Sequence, residues 1–157
     1  MATLFRRTYW LGVLMHFYWR ISRGLTVGVR GMVLDGEGRV FLIEHSYVDG
    51  WHLPGGGVEV GETMLEALRR ELAEEGSIEI AGEPVLHGIY FNPAYSRRDQ
   101  VALYVIRDFR QSAEPVPDRE IINHGFFPLD ALPEGTTRGT RARIAEVLHG
   151  VRASEVW

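Results

Sequence analysis

The sequence predicts a mixed α/β domain, and three observations carry that expectation. Short runs of β-branched and aromatic residues recur between turn residues. One interior run, Met64 to Glu75, has helical periodicity. A second helical run, Thr136 to Gly150, lies near the end of the 157 residues. Helices and strands interspersed in this way bury their apolar faces as layers around one core. The length suits one such domain. Composition agrees, with 45% hydrophobic and 24% charged residues, as in water-soluble globular chains. The absence of Cys excludes disulfides, zinc–thiolate sites and thiol catalysis together. A net charge of -4 argues against a broad nucleic-acid footprint, so no nucleic-acid polymer is expected as a partner.

Residues 4 to 23 read LFRRTYWLGVLMHFYWRISR. The apolar run Tyr9 to Trp19 is about half of the ~20 residues a membrane span requires. Arg6 and Arg7 imitate the start of a signal peptide, but no small-residue cleavage site follows. A cytoplasmic protein is therefore expected. We read residues 1–23 as an extra aromatic helix ahead of a domain over 24–157. Packing on the domain or on a second copy, as a homodimer, is preferred to an interfacial membrane helix, and no membrane contact is expected.

Leu25 to Leu34 alternates as a strand, with Val27, Val29 and Val33 on one face and Arg30 on the other. Arg30 is a substrate-phosphate ligand or a solvated strand residue. Asp35–Gly38 is a hairpin turn, and Arg39–His45 is the return strand, apolar on both faces and hence covered on both. Trp51 and Leu53 form a short strand into Pro54 and a glycine run, where glycines allow close backbone approach. Tyr47 and Trp51 are either buried aromatics or a stacking platform for a base. His52 reads as a hydrogen-bonded structural residue. Ile78–Ile80, Val85–Phe91, Gln100–Phe109 and Ile121–Phe127 are further strands. Asn92–Asp99 and Gln111–Glu120 are polar loops. Arg97 and Arg98 hold a distal phosphate or solvate a loop tip. In the last helix Ile144, Val147 and Leu148 make the apolar stripe, with Arg138, Arg141 and Arg143 as the wet side.

The stretch Gly56 to Ile78 carries the chemistry. Thr63 and Glu66 form a T-x-x-E capping box opening a helix. Met64, Leu65, Leu68 and Leu72 make its buried stripe. Glu71, Glu74 and Glu75 fall on one side of the same turn, where like charges repel. No Lys exists to dilute them. An isolated E-x-x-E-E is an ordinary acidic helix end. The glycine-rich entry, Glu62 and Arg70 favour a divalent cation instead, Mg²⁺ or Mn²⁺ by ligand hardness.

Gly56, Glu62, Arg70, Glu71, Leu72, Glu74, Glu75 and Ile78 resemble the Nudix box, G-x5-E-x7-R-E-U-x-E-E-x-G-U, with U a bulky aliphatic residue. Ser77 departs from it, standing where the pattern has Gly; Gly76 is expected to end the helix in the left-handed conformation one residue early. The segment Phe126 to Pro133 also resembles the family's W/F-F-P-L-D-E-L-P run. The resemblance implies an α/β/α sandwich with a mixed sheet between helices. It implies hydrolysis of a nucleoside diphosphate linked to another group X, a small-molecule substrate such as ADP-ribose, a nucleotide sugar or a nucleotide. Glu71 and Glu75 are then metal ligands, with Glu74 as third ligand or base and the Gly55 carbonyl as a further ligand. Arg70 orients the carboxylates, Glu62 braces the loop, and Glu120 is a candidate base. Pro93 and Tyr95 lie 15 and 17 residues past Ile78, where two subclass markers fall, so neither decides the substrate. Tyr95 and Arg97 join Arg30, Tyr47 and Trp51 as candidate substrate contacts. A non-catalytic nucleotide-binding or regulatory module is the alternative, weakened by the intact glutamates. The isomerase variant of the fold needs a Cys that is absent.

Overall fold

The computed structural model describes residues 15, 18, 19, 21–116 and 119–157. Its elements run β1 (Thr26–Val33), β2 (Val40–His45), β3 (Trp51–His52), α1 (Met64–Gly76), β4 (Ile78–Ile80), β5 (Val85–Phe91), β6 (Asp99–Ile106), β7 (Phe109–Gln111), β8 (Ile121–Phe127) and α2 (Arg138–His149). Strand alternation divides the interior in two. Val29, Val33, Phe41, Ile43, Ala102, Tyr104 and Ile106 face one core, with Ala67, Leu68 and Leu72 of α1. Met32, Leu34, Val40, Leu42, Leu103 and Val105 face the other, with Ile144 of α2. The strands thus separate the two helices, giving the expected α/β/α layering.

The sheets are mixed. β6 is central to the order β1-β6-β5, parallel to β1 and antiparallel to β5. β2 is central to β3-β2-β8, antiparallel to both neighbours. β4 and β7 form an antiparallel pair.

Two strand expectations are corrected. The turn at Asp35–Gly38 forms, and Leu34 and Val40 make an antiparallel bridge. Beyond that bridge β1 and β2 enter different sheets rather than continuing as a hairpin. A strand buried on both faces, as β2 is, takes β3 and β8 on its two sides. The free side of β1 instead receives the glycine loop: Val29 N–H donates to Gly56 O at 2.9 Å, Gly31 N–H to Pro54 O at 2.8 Å, and Val58 N–H to Val27 O at 2.8 Å. The expected strand Gln100–Phe109 is also broken, at Arg107–Asp108. The Asp108 carbonyl accepts from Ala81 and Gly82 N–H, which turns β7 onto β4.

Arg143 is not on a wet face. It is 1% exposed, because Glu146 neutralises it at 2.6 Å and it lies 4.1 Å from the centre of the Tyr90 ring. The aromatic segment 1–23 lies largely outside the described residues. Met15, Tyr18, Trp19, Ile21 and Ser22 are helical, and Arg23 N–H donates to Trp19 O at 2.8 Å. Among the described residues no helix is long and apolar enough to cross a membrane.

Candidate active site

Helix α1 starts as its sequence demands. Thr63 is the N-cap, its hydroxyl accepting from Glu66 N–H at 3.2 Å, while Glu66 Oε2 accepts from Thr63 N–H at 2.8 Å. The helix end differs from expectation. Gly76 stays helical, and Ser77 itself takes the left-handed conformation, φ 51° and ψ 33°. Packing explains the shift, since a Cβ on Gly76 would lie 2.9 Å from both Ile78 Cδ1 and Phe41 Cε1. The glycine is used for close approach, and the strained backbone falls to the serine.

The glycine loop lies against this helix. Gly55 has φ +136°, and a Cβ there would collide with the Val29 carbonyl. A Cβ on Gly56 would collide with the Glu71 carboxylate. Arg30 is half-buried against the loop rather than a solvated strand residue. Its Nη1 donates to Leu53 O at 2.9 Å and Gly55 O at 2.5 Å, so it braces the loop. The Gly55 carbonyl, implied as a metal ligand, is thereby engaged by a guanidinium.

Arg70 organises the outer part of the cluster. It grips Glu62 with two hydrogen bonds of 3.0 Å, from Nε and Nη2. Nη1 donates to Glu71 Oε1 at 2.6 Å and lies 3.6 Å from Glu74 Oε2, while Nη2 reaches Gly57 O at 3.1 Å. These bonds hold the Glu62 carboxyl below its ordinary value and raise the guanidinium above its own. Glu62 Oε2 also accepts from Glu59 N–H at 3.0 Å, fastening the loop to the helix start.

Glu75 lies deeper, its side chain 11% exposed. Oε2 accepts from Gly55 N–H at 2.6 Å. Burial pushes its carboxyl up to about 7, with Glu71 and Glu120 adding to the shift and Arg30 and the Gly55 amide opposing it. Glu120 therefore acts on the same cluster. Its carbonyl accepts from Ser46 N–H at 2.8 Å, which anchors its loop beside Tyr47. Tyr47 is raised by burial and by Glu75 and Glu120, although its ring is largely exposed.

The structure thus gathers Arg30, Gly55, Arg70, Glu71, Glu75, Glu120 and Tyr47, with Glu74 at the solvent edge. Trp51 is elsewhere, packed edge-on against Phe127 at 4.8 Å in the second core. Tyr95 and Arg97 occupy an exposed turn between β5 and β6 that packs on Thr26 through Arg98 O. His52 shares a 3.0 Å hydrogen bond with Asp49 O, so it is hydrogen-bonded as expected. One residue went unremarked in the sequence. His45 lies beside Glu75, with Nε2 3.8 Å from Oε1. Its signal was alternation: it follows Phe41 and Ile43 on a core-facing row. Burial lowers its imidazole to about 4, with Arg30 and His52 adding.

The donor set suits a hard divalent cation. Glu71 accepts from Arg70 through Oε1 and Glu75 from Gly55 N–H through Oε2, which leaves the second oxygen of each without a hydrogen-bond donor among the described residues. Burial, with Glu71 and Glu120 adding, disfavours the charged form of Glu75, a cost that a cation would offset. Among the described residues no three His, Asp or Glu side chains already converge to metal-binding distance.

Comparison with known proteins adds three findings. The NUDIX domain family model matches residues 24–148. Two curated proteins are similar: human 8-oxo-dGDP phosphatase NUDT18, 28% identical over 133 residues (83% of this chain, 39% of that protein), and the RNA pyrophosphohydrolase of Halorhodospira halophila, 43% identical over 65 residues (41% and 36%). This chain spans less than half the length of either. Among solved structures, a MutT NUDIX hydrolase from Burkholderia pseudomallei matches with TM-score 0.66 and 28% identity, over 78% of this chain and 97% of that one. An ADP-ribose pyrophosphatase from Streptococcus suis, 19% identical with TM-score 0.58 over 82% of this chain and 96% of that one, shares the fold.

Proposed function

This chain belongs to the Nudix hydrolase family, and from that premise we propose that it hydrolyses the phosphoanhydride of a nucleoside diphosphate linked to a second group. The observation that carries the reading is Glu75. A carboxylate this buried, raised to about 7 beside Glu71 and Glu120, is costly unless a cation or a transferred proton compensates it. Glu71 and Glu75 would hold the ion, with Glu74 as a third ligand or as the base. A divalent cation, Mg²⁺ or Mn²⁺, supplies charge neutralisation at the diphosphate and an acidified water.

The residues divide the remaining work. Arg70 fixes Glu71 and Glu62 and so sets the carboxylate row against the loop. Gly55 N–H fixes Glu75. Glu120, on the loop beside Tyr47, is with Glu74 one of two candidates to take a proton from the attacking water. Tyr47, exposed next to the cluster, offers its face to the nucleobase. Tyr95 and Arg97 remain candidates for the distal group X, and a cytoplasmic setting and an N-terminal helix over 1–23 belong to the same proposal. The test is a hydrolysis panel with Mg²⁺, covering 8-oxo-dGDP, ADP-ribose, nucleotide sugars, dinucleoside polyphosphates and nucleoside triphosphates. Turnover of one class is expected, and Glu75→Gln should remove most of it while the fold is kept. Wild-type rates in that variant would refute the assignment.

A second reading, a nucleotide-binding module without turnover, draws on one observation, the 2.6 Å contact of Arg70 with Glu71 Oε1. Ligand binding with no phosphate release under Mg²⁺ across the panel would favour it.

A further inference from the structure

Phe41, Ile43 and His45 share one face of β2, which places a histidine in a core row. Its side chain is 5% exposed. Nδ1 is sealed from solvent and has no hydrogen-bond partner. The Tyr47 and His52 rings flank it, at 4.9 and 5.9 Å between centroids. A pocket of rings at the end of an apolar strand would accept Phe and strand no polar atom. A buried unpaired nitrogen calls for a compensating role.

The other ring nitrogen points to that role. Charged or titratable groups reach the imidazole from four places: Glu75 on α1, Arg30 on β1, His52 on β3 and Tyr47 just after β2. Arg30 can only donate, and does so to two carbonyls, while His52 Nε2 is shared with Asp49 O. Glu75 Oε1, 3.8 Å from His45 Nε2, is the carboxylate acceptor among these groups. That gap exceeds a hydrogen bond, and a small carboxylate rotation about the fixed Oε2 would close it.

We infer that His45 is a positioning residue for Glu75: with its proton on Nε2 it backs Oε1 while Gly55 N–H holds Oε2, so the carboxylate is set between two donors. The inference rests on the hydrolase reading of this same site. It adds a partner outside the glutamate-bearing helix and assigns a use to a buried histidine. A carboxylate pinned from behind presents one orientation, which a hard cation requires of its ligand.

The test uses the full chain and Mn²⁺ alone, titrated by electron paramagnetic resonance. His45→Phe fills the pocket without a donor. His45→Gln restores a donor near the Nε2 position, and His45→Asn restores one only near Nδ1. The Phe and Asn variants should lose about tenfold or more in Mn²⁺ affinity, as outer partners of metal ligands do, while the Gln variant stays within about threefold of wild type. Near-ultraviolet circular dichroism checks that each variant is folded. Should the Phe variant fail to fold, the Gln–Asn difference alone decides. With the fastest panel substrate, kcat should fall in the Phe variant while KM holds. Unchanged Mn²⁺ affinity in the Phe variant, or equal loss in Gln and Asn, would overturn the inference alone. A wild-type chain that neither binds Mn²⁺ nor hydrolyses the panel would overturn the hydrolase reading and take this inference with it.

Discussion

Glu75 and His45 face one another with opposite titration behaviour, and the pair sets how stability depends on pH. Folding raises the Glu75 carboxyl from 4.5 to about 7. The folded chain therefore holds a proton that the unfolded chain releases, and stability from this group declines as pH rises between these values. The full effect is roughly 3 kcal/mol. His45 is lowered from 6.5 to about 4. The folded chain refuses a proton that the unfolded chain binds, so its contribution is full above 6.5 and is lost as pH falls towards 4. Across this window the two slopes oppose. In the metal-free protein, Glu75→Gln should remove the falling component, and the variant should gain stability from pH 4.5 to 6.5 more steeply than wild type, by urea melts. An identical slope would contradict the Glu75 shift. A second prediction concerns Gly56, whose added Cβ would enter the Glu71 carboxylate. Gly56→Ala should lower turnover by about tenfold or more, because misplacing a positioned group by about 1 Å costs about a hundredfold. The glutamates and glycines were legible because their spacing is in the sequence. The Arg30–Gly55 contact was not, since it joins β1 to a loop 25 residues away.

At the scale of elements, α1 was readable almost to the residue, because its caps are written locally. Its start follows from Thr63 and Glu66, and Thr63→Ala should cost about 1 kcal/mol. Its end was misread by one position. The left-handed residue was assigned to Gly76 on conformational grounds, whereas Gly76 is required by the approach of Phe41 and Ile78, a tertiary fact. Ser77 consequently carries φ 51°. Ser77→Gly should stabilise the protein by about 0.5–1 kcal/mol, read as a higher melting temperature with turnover unchanged. A destabilised variant would mean that the serine side chain holds the turn by some other contact.

At the scale of the molecule, the layered architecture was legible because two-sided apolar strands and one-sided helices admit few arrangements. The partition of strands among sheets was not, since it depends on which edge the glycine loop covers. Nor was the polar knot behind the second core. There Arg143 Nη2 meets Glu146 Oε1 at 2.6 Å, and Nη1 donates to Val156 O at 3.0 Å. Tyr90 OH donates to Glu146 Oε2 at 2.9 Å, and Ser154 N–H to Oε1 at 2.9 Å. Trp157 stacks edge-on to Tyr90 at 5.7 Å. The knot ties β5, α2 and residues 151–157 together, and helical periodicity alone assigned its arginine to solvent. Removing one partner strands a buried charge, so Glu146→Ala should cost about 3–5 kcal/mol. Replacing Arg143 and Glu146 together by Met removes both charges and fills the space, and should recover most of that loss, since apolar substitutes for a buried pair are often neutral. Urea unfolding of both variants measures the difference. A double variant as unstable as Glu146→Ala would show that the bonds to Val156, Ser154 and Tyr90, rather than the ion pair, hold this side of the fold together.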